Sequence, residues 1–315
     1  MYLNRFSDTT LALDLATGAE FESLKSSAHD LGITLPESVR FVSANTVLRH
    51  QRFHYLHWGK ADAAPVLILH GGNQSAHSWD LVSLNLCDEW SVYALDQRGH
   101  GDSEWSRGAH YDVPELMRDA DAFIRSTIGG PCIVIGHSMG GLVASALALH
   151  APELVRQLVV VDIGPEVNDE GRKLIREFVG RNVEFDDMNE FLDRVVKYDP
   201  YRSREHIERT LKYNLIRRAD GKYVPKADRR RFHSSASAPS IPDLETMRSI
   251  RCPVLVVRGA TSSVLLRDAA ERFANVLPAG EFVEVPDCGH NVAQQNTRGF
   301  LAVLRAFLTR ADDNA

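Results

Sequence analysis

The pentapeptide Gly136-His137-Ser138-Met139-Gly140 constrains this chain more tightly than any other stretch. The apolar run Cys132-Ile133-Val134-Ile135 leads into it, and the Ala/Leu-rich segment Leu142 to His150 leaves it at helical spacing. A strand, a sharp turn and a helix in that order are what Gly-x-Ser-x-Gly needs to lift a serine clear of a sheet. The turn holds its central residue at strained backbone angles, and the flanking glycines let neighbouring backbone come close. The free N–H groups at the start of the helix lie beneath the hydroxyl. Ser138 is therefore the candidate nucleophile.

The rest of the chain supplies a matching frame. With 315 residues, 44% hydrophobic and 25% charged, it has the make-up of an ordinary soluble α/β protein of one large or two small domains. A net charge of −6, with no Lys/Arg tract, argues against a nucleic-acid partner. No run approaches the roughly 18 to 20 apolar residues of a membrane span, and the first residues lack a basic start followed by an apolar stretch. A cytoplasmic location is expected. The four cysteines (Cys87, Cys132, Cys252, Cys288) lack zinc-ligand spacing and read as free thiols, three of them in or beside apolar runs. The pattern calls for a small-molecule substrate, no cofactor and no metal; a homo-oligomer is compatible with it.

Residues 1–36 form an N-terminal extension in which Leu11 to Leu31 carries apolar residues at near-helical spacing. Val39 to Trp58 changes to alternation and predicts an antiparallel hairpin, with a turn near Ala44-Asn45 and His50, His54 and His57 on a half-solvated strand. Pro65 to Leu69 and Ser91 to Leu95 are short apolar runs, hence buried parallel strands. The first ends in His70-Gly71-Gly72-Asn73, where a backbone N–H can turn towards the elbow. Gly72, with Asn73 as the close alternative, and Met139 directly after Ser138 are the expected donors of a two-donor oxyanion hole. The second runs into Asp96-Gln97-Arg98-Gly99-His100-Gly101-Asp102-Ser103, which reads as a loop scaffold held by side-chain-to-backbone hydrogen bonds rather than a source of catalytic groups. Asp112 caps a helix that continues to Ile128.

Val155 to Ile163 is the next strand, ending at Asp162. From residue 166 to 242 strand signals stop, and an arginine-rich helical segment, closed by the linker Ser234 to Pro242, predicts a cap over the sheet edge where open α/β folds bind ligands. One or two of its arginines are expected to hold an anionic group, and its aromatics to shape the cleft. Residues 37–165 and 243–315 make the core. Strands return at Cys252 to Arg258 and Glu281 to Val285, and His290 stands in a Gly-His loop after the last of them, at the same sheet edge as Ser138.

His70-Gly71, the loop from Asp96 to Ser103, the elbow around Ser138 and Gly289-His290 occur in the order that marks the α/β-hydrolase fold family, which the chain resembles over about residues 40 to 308. The resemblance implies a mostly parallel eight-stranded sheet with helices on both faces, an inserted helical cap, and a nucleophile–acid–histidine triad in that chain order. One departure matters. The family usually carries its acid in Gly-x-x-Asp after the penultimate strand, and here that place reads Gly259-Ala260-Thr261-Ser262. Asp268 lies about a turn into the next helix. The histidine needs an ionised carboxylate to fix its tautomer, and Asp162, at the end of the strand after the elbow unit, can supply it, as some family members do. The expected activity is hydrolysis of a small carboxylic ester or amide through an acyl-enzyme. A C–C bond hydrolase, a cofactor-free oxygenase and a non-catalytic binding member are the alternatives. Haloalkane dehalogenases and epoxide hydrolases use an aspartate where Ser138 stands.

Overall fold

Residues with apolar side chains on both faces of a strand belong in the middle of a two-layered sheet, and the central strands here are of that kind. The structure, a computed structural model, describes residues 18–181, 183–232 and 242–312. Helix α1 (Ala19–Asp30) precedes the hairpin β1 (Phe41–Leu48) and β2 (Gln51–Trp58). Then follow β3 (Ala64–Leu69), α2 (Asp80–Leu86), β4 (Trp90–Leu95), α3 (Val113–Phe123), β5 (Cys132–His137), α4 (Met139–His150) and β6 (Val155–Val161). Helices α5 (Asp169–Arg181), α6 (Met188–Tyr198) and α7 (Arg204–Leu211) and the ribbon β7 (Leu215–Arg217) and β8 (Tyr223–Pro225) come next. The chain closes with α8 (Leu244–Met247), β9 (Val254–Gly259), α9 (Arg267–Val276), β10 (Gly280–Val285), α10 (Val292–Gln295) and α11 (Thr297–Asp312).

Eight strands form one sheet in the order β1-β2-β4-β3-β5-β6-β9-β10. The pairs β1/β2 and β2/β4 are antiparallel and all others parallel. Alternate residues go to opposite faces. Leu67, Leu69, Val134, Leu158 and Val160 pack with α3, α4 and α9. Val66, Ile68, Ile133, Ile135, Val159 and Val161 pack with α1, α2 and α11. The carboxyl ends of β3, β5 and β6 consequently meet along one rim, and the loop after β10 reaches it. Helices α5 to α7 and the ribbon share a small core of their own, built on Phe185, Phe191, Leu192, Val195, Ile207 and Leu211.

Several local expectations need correction. The hairpin turns at Arg49-His50, with φ of 50° and 64°, and not at Ala44-Asn45, which lie inside β1. Two residues in the left-handed region suit the twist of the flanking strands, and neither Arg nor His announces that conformation. His54 and His57 are buried, not half-solvated: His54 bonds the Asp96 carboxylate at 2.7 Å, and His57 bonds Ser91 at 2.8 Å and stacks on Tyr93 of the neighbouring β4. Strand pairing does occur between residues 166 and 242, in the β7/β8 ribbon. Of the helix expected in Leu11 to Leu31, residues 1–17 lie outside the described residues; α1 sinks Phe21, Leu24 and Ala28 into the core. The linker Ser234 to Pro242 also lies outside them, Pro242 excepted. Among the described residues no helix is long and apolar enough to cross a membrane.

Candidate active site

Ser138 sits between β5 and α4 at φ 50° and ψ −117°, a conformation that side-chain-bearing residues rarely adopt. The turn closes only because both flanking glycines lack a Cβ. One on Gly136 would come within 2.3 Å of the Gly140 carbonyl oxygen, and one on Gly140 within 2.1 Å of the Leu69 carbonyl oxygen. The strain presents the hydroxyl to a cavity instead of to the sheet.

The loop after β10 brings His290 to it. His290 Nε2 lies 3.0 Å from Ser138 Oγ, and Nδ1 lies 2.7 Å from Asp162 Oδ2. A carboxylate only accepts, so Nδ1 carries the hydrogen and Nε2 turns its lone pair to the serine hydroxyl. That is the arrangement needed to take up a proton from Ser138 and hold the resulting imidazolium beside a negative charge. Asp162, directly after β6 and itself at φ 52°, is fully buried. Its Oδ1 accepts the Gly259 N–H at 3.0 Å, and its Oδ2 also accepts the Ser262 hydroxyl. Asp268 does not enter this group; it is exposed on α9 and pairs with Arg272 at 2.9 Å.

Sequence reasoning overlooked what Ser262 does. It occupies the place where the resemblance puts an acid, and its hydroxyl donates to the Asp162 carboxylate, which also meets His290. The available signal was its place in the sequence, the fourth residue of Gly259-Ala260-Thr261-Ser262, where the family usually carries its acid.

Gly72, Asn73 and Met139 all line the cavity beside Ser138 and His290. Met139 opens α4, so its N–H has no acceptor within the helix. Among the described residues the Gly72 N–H has no hydrogen-bond partner either. Both are free to meet a negative oxygen, which fits an oxyanion hole. Asn73, the alternative donor, is at φ 62°.

The cavity measures about 250 Å³, and α5 to α7 supply most of its far wall. Phe178, Phe191, Val195, Tyr198, Ile207 and Leu211 make it largely apolar. Of the arginines between residues 166 and 242, Arg202 and Arg229 reach it. Arg202 Nε binds Asp199 at 2.7 Å. Gln74, Asn291 and Gln294, none of them singled out from the sequence, form its polar edge. His137 also lines it; burial and the neighbouring His290 push this imidazole down to about 3, so it is neutral at any working pH.

The Asp96 to Ser103 loop is a scaffold, as its polar composition suggested. His54 Nδ1 donates to Asp96 Oδ2 at 2.7 Å, and the N–H groups of Ala76 and Asp102 donate to the same carboxylate at 2.6 and 2.9 Å. Against complete burial, the His54 bond and charge hold Asp96 at about 2. His54, Asp96 and Asp102 are close enough to bind a metal ion. Their atoms are already engaged, with Lys226 Nζ on Asp102 at 2.6 Å, so the group reads as a structural network.

The model of the alpha/beta hydrolase family matches residues 66–303. An esterase of Mycobacterium tuberculosis, Rv0045c, is 31% identical over 311 residues, covering 95% of this chain and 99% of its own. Its crystal structure superposes with a TM-score of 0.75 over 93% of this chain and 99% of the other, at 26% identity. A 3-hydroxybutyrate-oligomer hydrolase of Cupriavidus necator is 30% identical over 76% of this chain and 87% of its own. With the sheet order, the elbow and the histidine loop already in place, these likenesses make the chain a member of the alpha/beta hydrolase family.

Proposed function

We propose that the protein is a serine hydrolase that cleaves a small carboxylic ester or amide through an acyl-enzyme. The observation that carries this reading is the His290 ring, bonded to Ser138 Oγ on one side and to Asp162 on the other. Ser138 Oγ attacks the acyl carbonyl while its proton passes to His290 Nε2. The N–H groups of Gly72 and Met139 hold the oxyanion, and Asp162 stabilises the imidazolium. His290 then returns the proton to the departing alcohol or amine, and water repeats the two steps on the acyl-enzyme. No step calls on a metal or a cofactor.

The helical segment over the rim acts as a cap that selects the acyl group. A largely apolar pocket of about 250 Å³ suits a short acyl chain. Among the described residues Arg202 is engaged through Nε alone, which leaves its terminal nitrogens for a substrate carboxylate, with Arg229 beside the same cavity. The relatives named as an esterase and as a 3-hydroxybutyrate-oligomer hydrolase support ester cleavage. We place the protein in the cytoplasm, where reduced thiols persist: its four cysteines are unpaired, and burial pushes the Cys87, Cys132 and Cys288 thiols up to about 12.

A fluorophosphonate probe tests the scheme. It should label the wild type and leave Ser138→Ala unlabelled, and p-nitrophenyl acetate and butyrate should be turned over by the first alone. Active wild-type protein that resists the probe would refute the nucleophile. Cleavage of a diketone acid without any ester turnover would move the reaction to carbon–carbon bonds.

A further inference from the structure

Two loops that arrive from opposite ends of the chain must keep their spacing if this site is to work. The Gly71-Gly72-Asn73 loop after β3 offers an oxyanion donor, and the loop after β10 offers His290. The side chain of Gln74 spans the gap between them. Its Oε1 accepts the Gly71 N–H at 2.9 Å. Its Nε2 donates to Asn291 Oδ1 and to Gln294 Oε1, each at 3.1 Å and across 217 and 220 residues of sequence. The amide orientation follows from the partners, because Gly71 N–H can only donate and the two oxygens can only accept.

A second tie runs beside the first. His137 Nε2 lies 2.8 Å from the His290 carbonyl oxygen, which fixes the hydrogen on Nε2. The ring is neutral, so its Nδ1 is a lone pair; its 3.3 Å approach to Gln74 Oε1 brings two acceptors together and adds no bond to the tie. It also fills the space a side chain at residue 71 would need, since a Cβ there would meet His137 Nδ1 at 2.6 Å. The Gly71 carbonyl is held within its own loop, by His70 Nδ1 at 2.8 Å and the Gln74 N–H at 3.2 Å, while the Gln74 side chain ties the Gly71 N–H to the loop that carries His290.

We propose that Gln74 is a positioning residue for the reaction, fixing the Gly72 N–H relative to His290 and Ser138 so that the oxyanion site is formed before substrate arrives. The inference rests on the serine-hydrolase reading above. Preorganised donors act only when they stand at the place where charge develops, and a displacement of about 1 Å can cost about 10²-fold in rate. Losing the Gln74 side chain removes the tie between the donor loop and the histidine loop without touching Ser138, Asp162 or the His290 ring. The loss should fall on the transition state and spare substrate binding.

The experiment compares wild type, Gln74→Ala and the double variant Asn291→Ala/Gln294→Ala, which cuts the same tie from the other end. The readouts are p-nitrophenyl butyrate kinetics, melting temperature and inhibition by an alkyl trifluoromethyl ketone, a mimic of the tetrahedral adduct. For Gln74→Ala, kcat should fall about 10- to 100-fold with KM within about twofold, and the ketone should bind weaker by the same factor as the loss in kcat/KM. The double variant should show the same split, and it decides the matter if Gln74→Ala does not fold. Wild-type kcat in both variants overturns the proposal, as does a rise in KM at unchanged kcat, which would make Gln74 a substrate contact. Parallel losses of substrate and ketone affinity, tracking a fall in melting temperature, overturn it too. Wild-type protein that neither takes up fluorophosphonate nor cleaves the ester sinks the underlying reading instead, whereas active wild type with unimpaired variants sinks this proposal alone.

Discussion

Replacing Asp162 by Asn changes one oxygen for an NH₂ group and nothing else in volume, and the surroundings dictate where each atom goes. Oδ1 accepts the Gly259 N–H at 3.0 Å, a bond only an oxygen can keep. The new NH₂ therefore falls at the position of Oδ2, facing His290 Nδ1 at 2.7 Å. It can only donate there, so the imidazole must give up its Nδ1 hydrogen and carry it on Nε2, facing Ser138 Oγ. Nε2 then has no lone pair for the serine proton, and the negative charge that would steady the imidazolium is gone. In the serine proteases that share this triad logic, the same swap costs about 10⁴-fold in kcat, equivalent to about 5.5 kcal/mol of activation free energy. The assay is ester hydrolysis by Asp162→Asn against wild type, with fluorophosphonate labelling rates alongside and Asp268→Asn as the control. Asp162→Asn should lose about three to four orders of magnitude in kcat with little change in KM, while Asp268→Asn stays within about twofold. More than a tenth of wild-type kcat in Asp162→Asn, or the larger loss in Asp268→Asn, would refute the assignment of the acid.

The Ser262 hydroxyl already reaches Asp162, so a carboxylate at residue 262 would stand beside the same imidazole edge; Asp162→Asn/Ser262→Asp should regain about 10-fold or more of the lost kcat, and a double variant no better than the single would show that this loop cannot deliver the charge. Burial pushes His57 down to about 4, with the Arg40 charge adding to it, and pushes His137 down to about 3. Below about pH 6.5 the unfolded chain binds two protons that the folded one refuses, so stability falls as pH drops, by about 1.4 kcal/mol per unit for each histidine until pH meets its folded value. Thermal unfolding between pH 6.5 and 4.5 should show melting temperature falling with acid, less steeply in His57→Phe; an equal slope in both would refute the contribution of His57. Arg209 on α7 binds Asp80 on α2 at 3.2 Å, both side chains being under a tenth exposed. Arg209→Met leaves the buried carboxylate with His77 Nδ1, at 3.0 Å, as its remaining partner and should cost about 1.5 to 3 kcal/mol in urea unfolding, against which a change under about 0.5 kcal/mol would count.

Most of the sheet could be read from the sequence because a strand buried on both faces is a largely apolar run, as in β3, β4, β5 and the Leu158 to Val161 half of β6. Ser138 and His290 were legible for a different reason: each follows a strand whose end has a fixed place at the rim, so position along the chain implied position in space. Asp162 followed from the chemical demand of His290 once Gly259 to Ser262 offered no carboxylate. The hairpin turn was not legible, since Arg49 and His50 adopt positive φ without the glycine or asparagine that usually signals it. Gln74, Asn291 and Gln294 could not be found either, because a lone amide in a loop carries no periodicity and acquires its meaning only when the β3 and β10 loops meet. Nor could pattern alone sort the arginines, and burial of Arg202 against Asp199 depends on how α6 and α7 settle over the rim.

The same dependence on neighbouring loops gives His290 a second glutamine. Gln295 Oε1 accepts the Gly289 N–H at 2.8 Å, and its Nε2 donates to Asp199 Oδ1 at 3.1 Å. Asp199 in turn holds Arg202, which lines the cavity. The histidine loop is thus tied on one side to the donor loop through Gln74 and on the other to the cavity wall through Gln295. Strained backbone at Ser138 and Asp162, at φ 50° and 52°, sits on strand ends fixed by the core. Of the three groups the histidine is the one on an irregular loop, and its ring bonds Ser138 and Asp162 while its carbonyl accepts from His137. In the proposed reaction His290 shuttles a proton between a serine and a leaving group, a task that tolerates little freedom in its ring. In this chain that restraint comes from the amides of Gln74 and Gln295 and the neutral imidazole of His137, which hold the loop without themselves adding a charge beside Ser138.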